Sequence, residues 1–236
     1  MTLGVARRVS AATQPLPAPA RVLRLYALAA SLAIAAALAL AVDLPLSRLF
    51  QELQTSGPGD LRKAVNLFEA FAHGIGVGVI LLAVAVLDPA HRRWVPQLAA
   101  CAYGAGIVNL VAKMIVGRSR PLTYWSSELP LHVQDTFVGW LPRLWGSEGL
   151  ALGHGIESFP SGHSATAAGL AVGLAWLYPQ GRWLFAGLAL LAMLQRVQSG
   201  AHFPSDTLAG AAVGVLVAGI CCDPRLLGRW FPAAMH

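Results

Sequence analysis

Charged residues are scarce in this sequence: Asp, Glu, Lys and Arg make up 12% of its 236 positions. A soluble globular protein carries about 25% charged residues, and it needs them to cover its surface. Disorder is excluded on the same ground, because disordered chains are polar and highly charged. The apolar fraction of 56% and the mean hydropathy of +0.59 instead indicate an integral membrane protein.

Cysteine is also scarce, with Cys101, Cys221 and Cys222 as its three occurrences. They lie within or at the end of apolar runs and lack the spacing of a metal site. We expect reduced thiols that serve as packing residues. Clusters of His, Asp and Glu with metal-ligand spacing are missing from the sequence as well, so we expect neither a metal nor a cofactor.

Long apolar runs are what the chain has instead, and a membrane-spanning helix needs about 20 such residues. Six runs predict an all-α bundle of six transmembrane helices: residues 25–42, 67–87, 94–116, 163–178, 183–197 and 203–222. Residues 1–24 form a basic, Pro/Ala-rich stretch that we expect to be a disordered tail, and 223–236 a short second tail. The long polar segment 117–160 is expected to be a loop or lid.

The distribution of arginine predicts how this bundle crosses the membrane. Nine arginines flank one set of run ends, opposed there by Asp88 and Asp223 alone: Arg7, Arg8, Arg21, Arg24, Arg92, Arg93, Arg182, Arg225 and Arg229. The positive-inside rule then places both termini in the cytoplasm of a multi-pass plasma (inner) membrane protein. The same arginines explain the net charge of +6 without nucleic acid, and they favour anionic membrane lipid as the partner.

Three polar segments lie at the predicted outer ends of the runs: 113–121, 159–164 and 195–206. Lys113, Arg120 and Arg196 supply three positive charges, and Asp206 is the single carboxylate in these segments. Convergent guanidinium groups favour phosphate as the ligand. We therefore predict an anion site at the non-cytoplasmic face.

The start of the fourth run adds uncharged donors to this predicted site. Ser161 and Gly162 precede or begin a helix, where unpaired backbone N–H groups and the helix dipole favour an anion. The absence of a side chain at Gly162 lets the backbone approach a ligand closely.

Two histidines supply candidate reactive groups. His202 and Asp206 are four residues apart at the start of the sixth run. Asp206 is expected to hold one ring nitrogen of His202, which leaves the other nitrogen to attack phosphorus. His163 would then protonate the leaving oxygen.

Together these residues resemble the type 2 phosphatidic acid phosphatase (lipid phosphate phosphatase) superfamily. The family pattern is K-x6-R-P, then P-S-G-H, then S-R-x5-H-x3-D. It is matched by Lys113 to Pro121, by Pro160 to His163, and by Arg196 to Asp206. The departure is Gln195, where the family often has Ser; it is expected to change the surroundings of the site and not its catalytic set.

The resemblance implies a metal-independent, two-step phosphatase acting on a lipid phosphate monoester or diphosphate through a phosphohistidine on His202. Implied substrates are undecaprenyl pyrophosphate, phosphatidylglycerol phosphate, phosphatidic acid and lipid A phosphate. A lipid phosphotransferase would use the same residues. A non-catalytic phospholipid-binding or transport protein would not need them all intact, and the related soluble vanadium haloperoxidases do not have six spans. No obligate protein partner is evident.

Five further residues are candidates for lining the headgroup cavity. Asn66, Glu69 and His73 share one face if residues 67–87 form one helix with its preceding turn. His154 and Glu157 precede the second motif. Interhelical hydrogen bonding is the alternative for the first three, and the tryptophans of segment 117–160 are typical of anchoring at the membrane interface.

Overall fold

The computed structural model describes residues 18–56, 59–124, 130, 132–141 and 153–231, and within them the chain is mostly helical. The helices are α1 (Ala18–Ala39), α2 (Asp43–Ser56), α3 (Gly59–Asn66), α4 (Gly74–Leu87), α5 (Val95–Ile115), α6 (Gly162–Leu177), α7 (Arg182–Gln198) and α8 (Pro204–Cys222). An antiparallel pair of short strands, β1 (Val116–Arg118) and β2 (Phe137–Trp140), lies within the segment predicted as a loop. The all-α prediction is therefore confirmed except for this small sheet.

The second apolar run does not form the continuous helix that the sequence predicts. A 3₁₀ turn, Leu67–Phe71, precedes α4, and the axes of Arg62–Phe71 and Gly74–Leu87 differ by 62°. His73 causes the break, because its backbone is extended and its side chain caps α4 by accepting a hydrogen bond from the Ile75 N–H. A capping residue of this kind starts a new helix and cannot continue an old one.

Three helices in the described residues are long and apolar enough to cross a membrane: Ala20–Leu53, Arg92–Ile115 and Pro204–Cys222. The bent pair is a fourth if it counts as one span. The helices α6 and α7 have 16 and 17 residues, which is shorter than the about 20 of a typical span. The first helix also begins at Ala18, inside the tail predicted to be disordered.

The short helix α6 is the centre of the bundle, and it packs against α5, α7 and α8. Ten of its residues are buried, most of them Ala or Gly. The three cysteines are buried and unpaired, as expected of packing residues, in a cluster with Ala218. Gly210 and Gly214 of α8 bring its backbone into contact with α6, since a Cβ on either would lie 2.2 Å from a carbonyl oxygen of α6 or its N-cap. Small residues four apart are typical of such close helix pairs.

We expect Gly210→Ala to lower the thermal stability of the detergent-solubilised protein. The added methyl group would overlap the Ser161 carbonyl oxygen, and overpacking of this kind costs about 1–3 kcal/mol. Gly187→Ala on α7 is the matched control, because a Cβ there meets nothing within 4 Å and alanine favours a helix by about 1 kcal/mol over glycine. Equal unfolding temperatures for the two variants would contradict this account of the α6–α8 contact.

Candidate active site

The ends of four helices meet at one end of the bundle, as the sequence predicts. The Ser161 N–H donates to the Asp206 carbonyl oxygen at 3.0 Å and joins the start of α6 to α8. The Asn109 side-chain amide donates to the Pro160 carbonyl oxygen at 3.0 Å and joins α5 to the turn before α6. The three motifs are therefore neighbours in space.

A cavity of about 360 Å³ opens at this junction, between α4, α5 and the start of α6. Its walls include Lys113 and His163, which the sequence assigned to phosphate binding and proton transfer. Gly162, Glu157 and His73 line it too. Of the second candidate pair, the side chain of His154 lies outside the described residues, and Glu157 accepts a hydrogen bond from Lys113 Nζ at its carbonyl oxygen, at 2.8 Å.

Donors for an anion surround the start of α6. Arg120 Nε is buried and has no hydrogen-bond partner among the described residues. Ser161, which is fully buried, caps α6 by accepting hydrogen bonds from the Ser164 N–H at 3.4 Å and the Ser164 hydroxyl at 3.0 Å, and its own hydroxyl hydrogen is not used in these two bonds. Gly162 is the first residue of α6, where backbone N–H groups have no partner within the helix.

His202 is almost fully buried and is held by a backbone carbonyl, not by a carboxylate. Its Nδ1 lies 2.7 Å from the Ser158 carbonyl oxygen, whereas the Asp206 carboxylate is 3.9 Å away. The expected direct bond between Asp206 and the ring is therefore replaced by one to Ser158. A carbonyl oxygen only accepts, so Nδ1 carries the hydrogen and Nε2 keeps its lone pair.

The charge state of His202 follows from its surroundings. Burial and the positive charges of Lys113 and Arg120 hold the pKa of His202 well below its usual value, against a raising effect of the Ser158 hydrogen bond. A lowered histidine pKa means that the ring is neutral at neutral pH, which is the form that can act as a nucleophile.

The carboxylate of Asp206 accepts hydrogen bonds from Ser158, Phe203 and Arg118. Its Oδ2 accepts from the Ser158 hydroxyl at 2.6 Å and from the Phe203 N–H at 2.8 Å. Its Oδ1 accepts from Arg118 Nη1 at 2.5 Å. Sequence reasoning missed Arg118 and Ser158. The signal that could have found Arg118 is its charge. It is a second arginine in segment 113–121, and Asp206, the single carboxylate of the three segments, is available to pair with it.

A second ionic cluster joins the cavity to the segment before α4. Glu69 Oε1 lies 2.9 Å from Arg196 Nη2 and 3.8 Å from His163 Nε2. The ring of His73 lies 6.2 Å from that of His163, measured between centroids. Glu69 and His73 therefore reach the site although they share no helix face, because the chain turns between them.

Gln195, the departure from the family pattern, contacts Arg196 and two residues of the bent segment, Asn66 and Glu69. Its Oε1 accepts from Arg196 Nε at 2.5 Å, and its Nε2 donates to Asn66 Oδ1 at 3.3 Å and to Glu69 Oε2 at 3.4 Å. It thus positions Arg196 and connects α7 with the two residues of the bent segment.

The profile of the PAP2 superfamily matches residues 94–223, which is more than half of the chain. The chain belongs to the PAP2 superfamily. All three motifs lie within the PAP2 match, whereas Asp43, Asn66, Glu69 and His73 precede it. No solved structure matches the chain.

Two curated relatives are called lipid A 1-phosphatase, one from Rhizobium etli and one from Rhizobium johnstonii. Each is 47% identical to the chain over 58 residues. That stretch is 25% of this chain and 25% or 24% of the relative, respectively, so the similarity covers about a quarter of either protein.

Proposed function

We propose that this protein is a membrane phosphatase that removes phosphate from a lipid through a phosphohistidine on His202. The observation that carries the proposal is a neutral, oriented His202 close to the positive charges of Lys113, Arg120 and Arg196, together with a cavity lined by Lys113, Gly162 and His163. Membership of the PAP2 superfamily supports the same reaction class.

In the first step, His202 Nε2 attacks phosphorus and forms a P–N bond as the ester P–O bond breaks. His163 gives its proton to the leaving lipid oxygen. Its Nε2 lies 3.8 Å from the carboxylate of Glu69, which is also paired with Arg196. The charge that develops on the phosphoryl oxygens is met by Lys113, Arg120 and Arg196, with the start of α6.

In the second step, water attacks phosphorus and the P–N bond breaks. His163, now neutral, takes a proton from that water and so acts as a base, the reverse of its role as an acid in the first step. Inorganic phosphate leaves and His202 returns to its neutral form.

The proposed topology has six helical segments crossing the membrane, with both termini in the cytoplasm and the cavity at the opposite face. The arginine distribution and the meeting of the motifs at one end of the bundle support it. The central position of α6 accounts for its short length. A helix that is surrounded by other helices need not match the thickness of the lipid layer as closely as an outer helix does.

Among lipid phosphates, we favour lipid A carrying a 1-phosphate, because the curated relatives are named for that activity. Purified protein should be tested for phosphate release from lipid A 1-phosphate, undecaprenyl pyrophosphate, phosphatidylglycerol phosphate and phosphatidic acid. Fastest release from lipid A is expected. A faster reaction with another lipid would replace the substrate, and phosphate transfer to an added lipid without release would indicate a phosphotransferase.

We expect full activity in the presence of EDTA. Three basic side chains and the first turn of α6 supply the positive charge that Mg²⁺ brings to other phosphoryl-transfer sites. Phosphate release should be measured before and after dialysis against the chelator. Activity that is lost on dialysis and restored by Mg²⁺ or Zn²⁺ would overturn the proposed mechanism.

A further inference from the structure

A fully buried guanidinium lies behind the active site. Arg118 has no exposed surface and makes four side-chain hydrogen bonds: to Thr136 Oγ1 at 3.0 Å, Ser205 Oγ at 2.7 Å, Asp206 Oδ1 at 2.5 Å and Asp43 Oδ2 at 2.7 Å. The rings of Phe203 and Phe137 lie 4.2 and 4.6 Å from its Cζ. These partners together hold the buried guanidinium in one orientation.

Asp43, at the junction of α1 and α2, is the second carboxylate of this group and is also fully buried. Among the described residues its oxygens accept from three donors: the Ser205 N–H at 2.9 Å, the Ser205 hydroxyl at 2.5 Å and Arg118 Nη2. It therefore caps the first turn of α8, the helix that carries Asp206, and balances the charge of Arg118.

We propose that Asp43 is a positioning residue for His202, acting through Arg118, Asp206 and Ser158; this role rests on the proposed function. The path is continuous in hydrogen bonds. Asp43 and Asp206 hold the two ends of the guanidinium, Asp206 Oδ2 holds the Ser158 hydroxyl, and the Ser158 carbonyl oxygen holds His202 Nδ1.

Arg118 holds Ser158 by a second route, which makes the path more rigid. The Ser158 N–H donates to the Arg118 carbonyl oxygen at 2.9 Å. The residue that orients the ring of His202 is thus fixed at its N–H by the Arg118 backbone and at its hydroxyl by Asp206. A shift of the guanidinium would move Asp206 and the Ser158 hydroxyl that it holds, and would turn the ring of His202 away from phosphorus.

The inference gives the N-terminal helices a part in the reaction. The PAP2 match begins at residue 94 and so leaves out Asp43. On the proposed function, α1 and α2 do more than anchor the chain, because the site is completed by a carboxylate that they carry.

The test is Asp43→Asn in the full-length protein. An amide has one accepting oxygen in place of two, so its NH₂ group faces either Arg118 Nη2 and the Ser205 hydroxyl or the Ser205 N–H. In both orientations the negative charge opposite Arg118 is lost while the size of the side chain stays the same. We expect kcat and the rate of phosphohistidine formation to fall about 10–100-fold, as for a misplacement of the order of 1 Å. KM should stay within about threefold of wild type, because Asp43 does not touch the cavity.

Asp223→Asn is the matched control. Asp223 is a nearly buried carboxylate that also ties α1 to α8, through the Tyr26 hydroxyl at 3.1 Å, but at the far end of α8. Its kcat should stay within twofold of wild type. Equal losses of kcat in the two variants would show that only helix packing matters and would overturn the proposal, as would a folded Asp43→Asn variant with wild-type kcat.

Thr136→Val replaces Asp43→Asn if that variant does not fold. It removes the acceptor of Arg118 Nε, on the other side of the same guanidinium, and a folded variant with unchanged kcat would overturn the proposal. Wild-type protein that releases phosphate from no lipid would instead overturn the proposed function, and the role of Asp43 with it.

Discussion

Replacement of His202 by alanine will abolish phosphate release while the protein remains folded. The proposed reaction passes through a bond to this ring, and loss of a nucleophile lowers kcat by a factor on the order of 10⁶ in a well-studied hydrolase. Initial rates with the best lipid substrate, thermal unfolding and labelling with a radioactive phosphate ester should be measured together, and the labelling should be quenched in alkaline detergent because acid hydrolyses phosphohistidine. The label should be absent from the variant.

His91→Ala is the control for this loss. His91 lies at the other end of the bundle, where its Nδ1 contacts Asp88 Oδ2 at 2.7 Å, and its removal should leave both the rate and the label unchanged. A phosphorylated enzyme in the His202→Ala protein would mean that another residue is the nucleophile.

His163→Ala will lose much of the activity on a natural lipid phosphate and less on an activated one. General acid catalysis contributes about 10²–10⁴-fold, and it is not needed when the leaving group is a stable anion. The variant and the wild type should therefore be compared with lipid A 1-phosphate and with p-nitrophenyl phosphate. The ratio of wild-type to variant kcat should be far larger for the lipid.

The same comparison tests the assignment of His163 as the acid. A residue that merely shapes the cavity would reduce both rates by the same factor. Equal losses on the two substrates would assign His163 to binding or structure and leave proton transfer to another group.

The sequence predicted the parts of this protein that depend on local pattern. Each of the six apolar runs contains a helix, and the ends that carry Lys113, His163, Arg196 and Asp206 do meet. These predictions succeed because hydrophobic length determines where helices lie, and because alternate helix ends in a bundle must share a face.

Contacts that are distant in the sequence could not be predicted in the same way. Asp43 and Arg118 are 75 residues apart, and in the sequence Asp43 is simply a carboxylate that follows an apolar run. The predicted bond between Asp206 and His202 is not formed, because Asp206 accepts from the Ser158 hydroxyl and the Ser158 carbonyl oxygen contacts the ring. An i, i+4 spacing gives no information about Ser158. The bend at His73 was missed since hydrophobicity continues across it.

The length of α6 determines how deep the chemistry lies. Its 16 residues span about 24 Å, against about 30 Å for the hydrocarbon layer of a bilayer. On the proposed topology, with the cytoplasmic end of α6 at one boundary of that layer, its N-terminus lies about 6 Å beneath the other. The phosphate of a lipid substrate would then move slightly into the membrane to reach His202, and the lipid would not have to leave the bilayer. This depth favours substrates that are dissolved in the bilayer over phosphate esters that are dissolved in water.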